Sequence, residues 1–424
     1  MLATLRQPNF ALLWTAGLVS QIGNWVLIAA LPFYVYEHTG STLASGMIWI
    51  AYTLPGLLLG SVAGVFVDRW DRKRTMVVVN LLQAALMLVL LLVGSAEWLW
   101  LVYLVALLES ALGQFFAPAE NSLLPSLVGE ERLLQANALN SLNNNLARVV
   151  GPSLGGALFG FFGLQAVVLV DSASFLVAGV LISLISSPAA SQGADIGPTG
   201  DEAAGSLARV WREWIAGLGL VRANRVLRAV FIVMGVSLLA DSILTALLVP
   251  FVNSVAEGGA QALGAILTVR GVAGLIGGVV IGWVGKRAGP ARILGWSLIL
   301  LGALFLVEVN FPYIPLILMV TLLNGPPVIG WLTGQQTLLQ AGTDDEYRGR
   351  VFGAYGTTNA LMLLAGTGLG SFLGDIVGVV PLLNVSGVLY SLAGLLALGL
   401  LSGGQVVAGS ADREGQEGPV ASSS

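Results

Sequence analysis

The sequence predicts an all-α membrane protein of twelve transmembrane helices, built as two related six-helix bundles. Three observations carry that prediction. Only 10% of the 424 residues are charged and 56% are hydrophobic, whereas soluble proteins average roughly 25% charged. Apolar runs recur along the chain, among them 81–93, 98–108, 167–185 and 382–401, and most extend to about 20 residues, the length that crosses a bilayer. The first half is also echoed in the second at nearly constant spacing. Lipid offers no hydrogen bonds, so the backbone must satisfy itself. No period-2 alternation argues for a barrel, and helices remain.

The expected spans are 10–36, 44–67, 75–94, 98–121, 137–162, 165–187, 226–252, 258–284, 291–309, 313–337, 350–374 and 380–402. The first span is long and lacks a short apolar region with a small-residue cleavage site, so it is not expected to be a cleaved leader. Basic residues test the count through the positive-inside rule. Arg69, Arg72, Lys73 and Arg74 fall between spans two and three, and Arg132 between four and five. Arg209, Arg212, Arg222, Arg225 and Arg228 lie in or just after the central connection. Lys286, Arg287 and Arg292 follow span eight, and Arg348 and Arg350 follow span ten. All these connections share one side with both termini, while the opposite loops carry acids such as Glu37, Glu97 and Glu257 and no Lys or Arg. The expectation is a multi-pass protein of the cell (inner or plasma) membrane with cytoplasmic N- and C-termini.

Residues 188–205 are small and polar with Gly and Pro, which predicts a flexible stretch. In 207–222, Trp211, Trp214, Leu218 and Val221 recur at helical spacing opposite Arg209, Arg212 and Glu213, the pattern of an amphipathic helix on the inner membrane face. The domains are therefore 1–187, a first bundle; 188–225, a cytoplasmic linker; 226–402, a second bundle; and 403–424, a disordered tail.

The repeat is specific. An offset of 218 carries Pro32-Phe33 onto Pro250-Phe251, and Gly56, Gly60 and Gly64 onto Gly274, Gly278 and Gly282. An offset of 215 carries Gly151, Leu154, Gly155 and Gly163 onto Gly366, Leu369, Gly370 and Gly378. Six spans per unit give both halves the same orientation, a parallel repeat. Small residues four apart let helix backbones approach closely, so spans two, eight, five and eleven are read as packing or sliding surfaces.

After span two the chain runs Gly64-Val-Phe-Val-Asp68-Arg69-Trp70-Asp71-Arg72-Lys73-Arg74. This resembles the signature loop of the major facilitator superfamily, G-x-x-x-D-R-x-G-R-[RK], with Asp71 in place of the usual Gly. The second copy has Lys286 in place of the acid. Gly151-Pro152-Ser-Leu-Gly155-Gly156 in span five resembles the G-P-x-x-G-G motif of drug:proton antiporters, with Thr367 standing for the proline in the repeat. The stretches Phe115–Val128, Asn137–Arg148 and Glu346–Gly353 resemble the branch that holds macrolide efflux proteins and the enterobactin exporter. The resemblance implies the major facilitator fold and export. It also implies that Gly64, Asp68, Arg69, Arg72, Lys73 and Glu120 form a conformational latch, Asp68 docking at the start of span eleven near 349–353 and Arg72 pairing with Glu120.

Ionisable residues inside spans are costly and are functional candidates by default. Glu109 and Arg148 fall at similar depth in spans four and five, and Asp241 and Arg270 in seven and eight, so two ion pairs within the halves are expected. They are either static or exchange a proton or cargo as the halves move, with Asp241 ranked narrowly ahead of Glu109. Asp171, Glu308 and Asp375 are read as interfacial, as are Trp98, Trp100 and Tyr103. Gln21 and Asn24 are cavity candidates or helix–helix hydrogen-bonding groups, and His38 is read as a solvated loop residue.

Without cysteine, and with one histidine, the chain offers no disulfide, thiolate or metal-ligand cluster, and it lacks a P-loop. No cofactor or metal is expected. The function read from these features is proton-coupled efflux of a moderately hydrophobic small molecule, drug-, macrolide- or siderophore-like, by alternating access. The expected partners are that molecule, protons and the lipid bilayer, with no nucleic acid, and the expected state is a monomer. The alternatives are uptake or flipping of a metabolite or lysolipid on the same fold and, from other classes, a lipid-modifying enzyme, a channel or a scaffold.

Overall fold

The computed structural model describes residues 2–67, 70–186, 206–343 and 347–401. Asp68, Arg69 and Glu346, the stretch expected to be flexible and the tail lie outside the described residues. Span one is Pro8–Thr39, two Thr42–Val67, three Arg72–Leu88 with a 3-10 turn Val89–Leu92, and four Leu99–Val128. Spans five and six form one run, Leu133–Ser183, broken at Gly163. Span seven is Arg225–Pro250, eight Gly259–Val284, nine Pro290–Asn310, ten Ile314–Leu323 and Gly325–Ala341, eleven Arg348–Val377 and twelve Val379–Leu401. Eleven described segments are long and apolar enough to cross a membrane, and the 54-residue segment Glu130–Ser183 holds two of the twelve spans.

The repeat has a backbone counterpart. Gly163 (φ 74°) and Gly378 (φ 97°) both take a positive φ that only glycine adopts without strain. Each turns the chain between the fifth and sixth spans of its half. Pro250 is followed by a π-helical turn, Phe251–Val255, so the carbonyls freed near the proline are re-satisfied inside protein.

Packing within each half uses the glycine stripes of spans five and eleven. A Cβ on Gly155 would lie 2.5 Å from Val26 O, and one on Gly370 would lie 3.2 Å from Ile243 Cα. Gly151 meets Trp25 and Ile22 of span one, and Gly366 meets Ser242 of span seven. The matching ladders of spans two and eight behave differently. Gly64, Gly274, Gly278 and Gly282 have no neighbour within 4 Å of a Cβ, and Gly56 and Gly60 meet only Gln114 at 3.7–3.8 Å. Among the described residues no helix backbone packs closely on those stripes in this conformation, so of the two roles open to them close packing is not the one they serve here.

The helix Ser206–Ala223 corrects a second expectation. Its apolar face turns partly onto span eleven: Trp214 Nε1 donates to Thr358 Oγ1 at 3.0 Å, and a Cβ on Gly217 would lie 2.7 Å from Arg350 O. Trp211 and Ile215 are exposed. The helix therefore divides its apolar surface between protein and surroundings.

Candidate functional site

Alternation of the spans brings the connections rich in Lys and Arg to one face, called here the basic face, with the acidic loops on the opposite face. Between them lie two clusters of charged side chains, one per half.

In the second half, the expected Asp241–Arg270 pair is part of a larger group. The Tyr390 hydroxyl of span twelve donates to Asp241 Oδ1 at 2.9 Å. Arg270 stands within electrostatic reach of Asp241, Tyr390 and also Glu308 of span nine. Glu308 is 2% exposed, so it faces protein and is not interfacial. Depth along a span was read correctly as nearer its end; rotation about the helix axis, which depth does not give, turns the side chain inward. Asp241 and Arg270 themselves are only partly buried.

In the first half, the expected Glu109–Arg148 pair does not form. Glu109 is buried and accepts from Gln83 Nε2 at 3.3 Å. Arg148 is exposed and sits over the Trp25 ring, 5.3 Å from its centroid. The two residues share a depth but point to different neighbours. Asp171 is fully buried, not interfacial, and its Oδ1 accepts from Ser174 Oγ at 3.3 Å. Of the cavity candidates, Gln21 is partly exposed and Asn24 Oδ1 is buried without a hydrogen-bond partner.

The halves meet toward the opposite face. Asp375, read from sequence as interfacial, caps span two from across the divide. It accepts from Ser41 Oγ (2.7 Å), Thr42 N (2.7 Å), Thr42 Oγ1 (2.9 Å) and Leu43 N (3.2 Å), where a helix N-terminus favours an anion. Tyr36 and Ser254 hydroxyls bond at 2.6 Å, Ser153 and Thr268 bond lower down, and Gly156 abuts Gly264 and Ala260 O. Among the described residues, every such hydrogen bond or close glycine approach between halves lies between the opposite face and the middle. Together with the bare ladders of spans two and eight, this is a conformation closed on the opposite face.

On the basic face, Arg72 donates to Ser122 O at 3.1 Å rather than to Glu120, whose partner is Asn140 Nδ2 at 3.4 Å. Lys73 Nζ donates to Ile185 O at 2.6 Å, tying span three to span six. Asp71, the departure from the signature, caps span three: its Oδ1 accepts from Arg74 N at 2.7 Å. His38 ends the last turn of span one, bonded to Tyr34 O at 2.9 Å, and is not in a separate loop. Tyr103 turns inward to donate to Ala44 O at 2.9 Å, whereas Trp98 and Trp100 stay exposed.

The sequence reading missed Tyr390, Glu308, Asp171 and Asp375 as functional candidates. The repeat carried one usable signal. An offset of 218 places Asp241 on Gly23 and Arg270 on Tyr52, marking where the halves differ in charge.

The family model described as Major Facilitator Superfamily matches residues 13–367. Over 386 residues the chain is 26% identical to macrolide efflux protein A of Streptococcus pyogenes, covering 90% of this chain and 93% of that protein. It is 28% identical over 375 residues to the multidrug efflux pump Tap of Mycolicibacterium fortuitum, covering 84% and 87%. Among solved structures, a bacterial homologue of the iron transporter ferroportin in an inward-facing state superimposes with a TM-score of 0.71 at 19% identity, covering 92% of this chain and 98% of that one. A bacterial homologue of the lysosomal transporter Spinster, also inward-facing, gives 0.66 at 14%, covering 92% and 97%. With its all-helical fold and a family model spanning most of its length, the chain belongs to the Major Facilitator Superfamily and is a transporter of small molecules rather than an enzyme.

Proposed function

We propose that this transporter is a proton-coupled exporter of moderately hydrophobic small molecules, macrolide-like or siderophore-like in size and polarity, working as a monomer by alternating access. The observation that carries this reading is the group Asp241, Tyr390, Arg270 and Glu308. It places two carboxylates around one guanidinium on spans seven, eight, nine and twelve. One cation cannot neutralise both acids, so a rearrangement that moves Arg270 toward one of them leaves the other to take up a proton. The relatives named for macrolide and multidrug efflux support the direction. The closed opposite face leaves the path to load from the basic side, which the positive-inside pattern makes cytoplasmic with both termini.

In this reading residues 1–187 and 226–402 are the two rocking bundles. The linker 188–225 joins them, and 403–424 is a tail. The loop Gly64–Arg74 latches the basic face when the path opens outward, with Asp68 at the start of span eleven. The test is purified protein in sealed vesicles with a trapped pH indicator, challenged with a panel of macrolides and siderophores. Cargo-dependent proton movement is expected, and it should vanish in Asp241→Asn while cargo binding persists. Cargo movement with no proton flux at any pH removes the coupling, and unchanged pH dependence in a folded, active Asp241→Asn removes Asp241 from it.

A further inference from the structure

The first half holds a buried acidic group that the exporter reading does not use. Three short links fix its geometry. Gln83 of span three donates to Glu109 of span four at 3.3 Å. The next residue, Ala84, accepts from Ser172 of span six at 2.9 Å, and Ser172 adjoins Asp171. On the other flank, Ser110, next to Glu109, donates to Tyr52 O at 2.6 Å. Glu109, Asp171 and Tyr52 thus share one level of the bundle and interact electrostatically. Span one closes the site with Gly23, where a Cβ would lie 2.5 Å from Asp171 Oδ1.

Two features of this group call for a ligand. Asp171 is fully buried, yet its Oδ2 has no hydrogen-bond partner, and neither does the buried Tyr52 hydroxyl oxygen or Asn24 Oδ1 on span one. Native interiors rarely leave such atoms unpaired. Among the described residues, no basic side chain faces the two acids. Span one offers Gly23 and Asn24, span two Tyr52, span three Gln83 and Asn80, and span six Ser172 and Ser174. Asn80 Nδ2 is spent on Met76 O. Arg148 of span five is exposed over Trp25. Uncompensated buried charge is strongly destabilising.

We propose that Glu109 and Asp171, completed by the Tyr52 hydroxyl and neighbouring neutral oxygens, form a binding site for one small hard cation. The donors are all oxygen, which suits Na⁺ or Ca²⁺ and disfavours the softer metals that seek sulfur or imidazole. Among the described residues no group of three or more acids or histidines gathers, so the site depends on these two carboxylates. It lies apart from the Asp241 group and stands whether or not Asp241 carries the coupling proton.

The experiment is thermal unfolding of the purified full chain in detergent, in choline buffer with added NaCl or CaCl₂ at fixed pH, and across pH without either. A binding ion stabilises the folded state and is expected to raise the wild-type melting temperature by about 3 °C or more. Stabilisation by Na⁺ alone identifies an alkali site and by Ca²⁺ alone a divalent one. In either case Asp171→Asn and Glu109→Gln should abolish the response. Stabilisation by acid with no salt effect shows only that the carboxylates are protonated, and it overturns the site. Gly23→Ala keeps both acids but its Cβ would collide with Ser174 Oγ and Asp171 Oδ1 and displace them, so it should abolish the salt response even if Asp171→Asn folds poorly. A wild type indifferent to both salts, or folded variants that respond as wild type does, overturns the site. A cation response without cargo-dependent proton flux would leave this site standing and remove the proton coupling from the exporter reading instead.

Discussion

The two six-helix bundles share their glycine spacing and their positive-φ turns, yet they bury acid from opposite helices. In the second half the carboxylate comes from the first helix, Asp241, and the Tyr390 hydroxyl of the last helix meets it. In the first half the carboxylate comes from the last helix, Asp171, and packs against Gly23 of the first. Gly23 is the repeat partner of Asp241, and Ser386 is the partner of Asp171 at an offset of 215. Arg270 occupies the position that is Tyr52 in the first half. Three differences in the repeat therefore separate the clusters, and the one at Tyr52 and Arg270 gives the second its own cation. A duplicated bundle can keep its packing rules while changing what its interior binds.

The largest effect should come from erasing that difference. Arg270→Gln leaves Asp241 and Glu308 without the cation that each of them reaches. Removing one partner of a buried charge group costs about 3–5 kcal/mol, so purified yield and melting temperature should fall sharply and transport should stop. Adding Glu308→Gln to Arg270→Gln should recover part of the stability. An Arg270→Gln protein as stable as wild type would show that the second cluster is as solvated as any surface group.

Glycine replacements come next, and they test the likeness rather than the difference. Gly155→Leu and Gly366→Leu must push a side chain into Val26 and Ser242 respectively. Overpacking costs about 1–3 kcal/mol and more when backbone must move. Both variants should lose yield, whereas Gly60→Leu, on the open stripe, should fold normally. If Gly60→Leu folds but arrests transport, span two receives a helix only in the other conformation. Equal yields for all three would remove the distinction between packed and open ladders.

The latches on the two faces form a second comparison. Asp375 caps span two on the opposite face, and Asp68 is proposed to do the same for span eleven on the basic face, so spans two and eleven exchange roles. Asparagine keeps one acceptor oxygen but loses the charge and the second acceptor that Asp375 offers Ser41 and Leu43. Asp375→Asn should then open the opposite face severalfold more often. The chain has no cysteine, so a single Ile50→Cys probe, on span two beside Gly368 of span eleven, reports this directly through faster thiol labelling. Asp68→Asn should have the reverse bias and impair transport with near-normal expression. Unchanged labelling in Asp375→Asn, or wild-type transport by Asp68→Asn, breaks the symmetry of the latches.

Much of this architecture was legible in the sequence because spans, basic loops and glycine offsets are one-dimensional signals. The repeat located Gly163 and Gly378 before their φ angles explained them. What the sequence withheld was rotation about helix axes. Glu109 and Arg148 lie at one depth, and only the packed bundle shows that one points to Gln83 and the other to Trp25. Glu308 and Asp171 were misread for the same reason: distance from a span end does not say whether a side chain faces lipid or protein. Asp375 lies exposed near the end of its span, as read, but its capping role was not legible because its partner is more than 330 residues away in the chain, and no local pattern encodes that meeting.

The smallest expected effect concerns Asp71, where the signature loop usually has glycine. Its backbone angles, φ −64° and ψ 113°, are open to any residue, so glycine is not required by the turn. The aspartate instead supplies the side-chain cap of span three. In the second half the matching position is Gly289, which caps span nine without a side chain and is followed by Pro290 at the first helical turn. The two halves thus start equivalent helices by different means. Replacing an N-cap aspartate by glycine costs only a few tenths of a kcal/mol, whereas alanine costs about 1 kcal/mol. Asp71→Gly should therefore melt close to wild type and transport normally, and Asp71→Ala should melt measurably lower. If Asp71→Gly instead loses transport with its melting temperature intact, Asp71 acts in the latch itself, and the departure from the signature is functional rather than a change of helix cap.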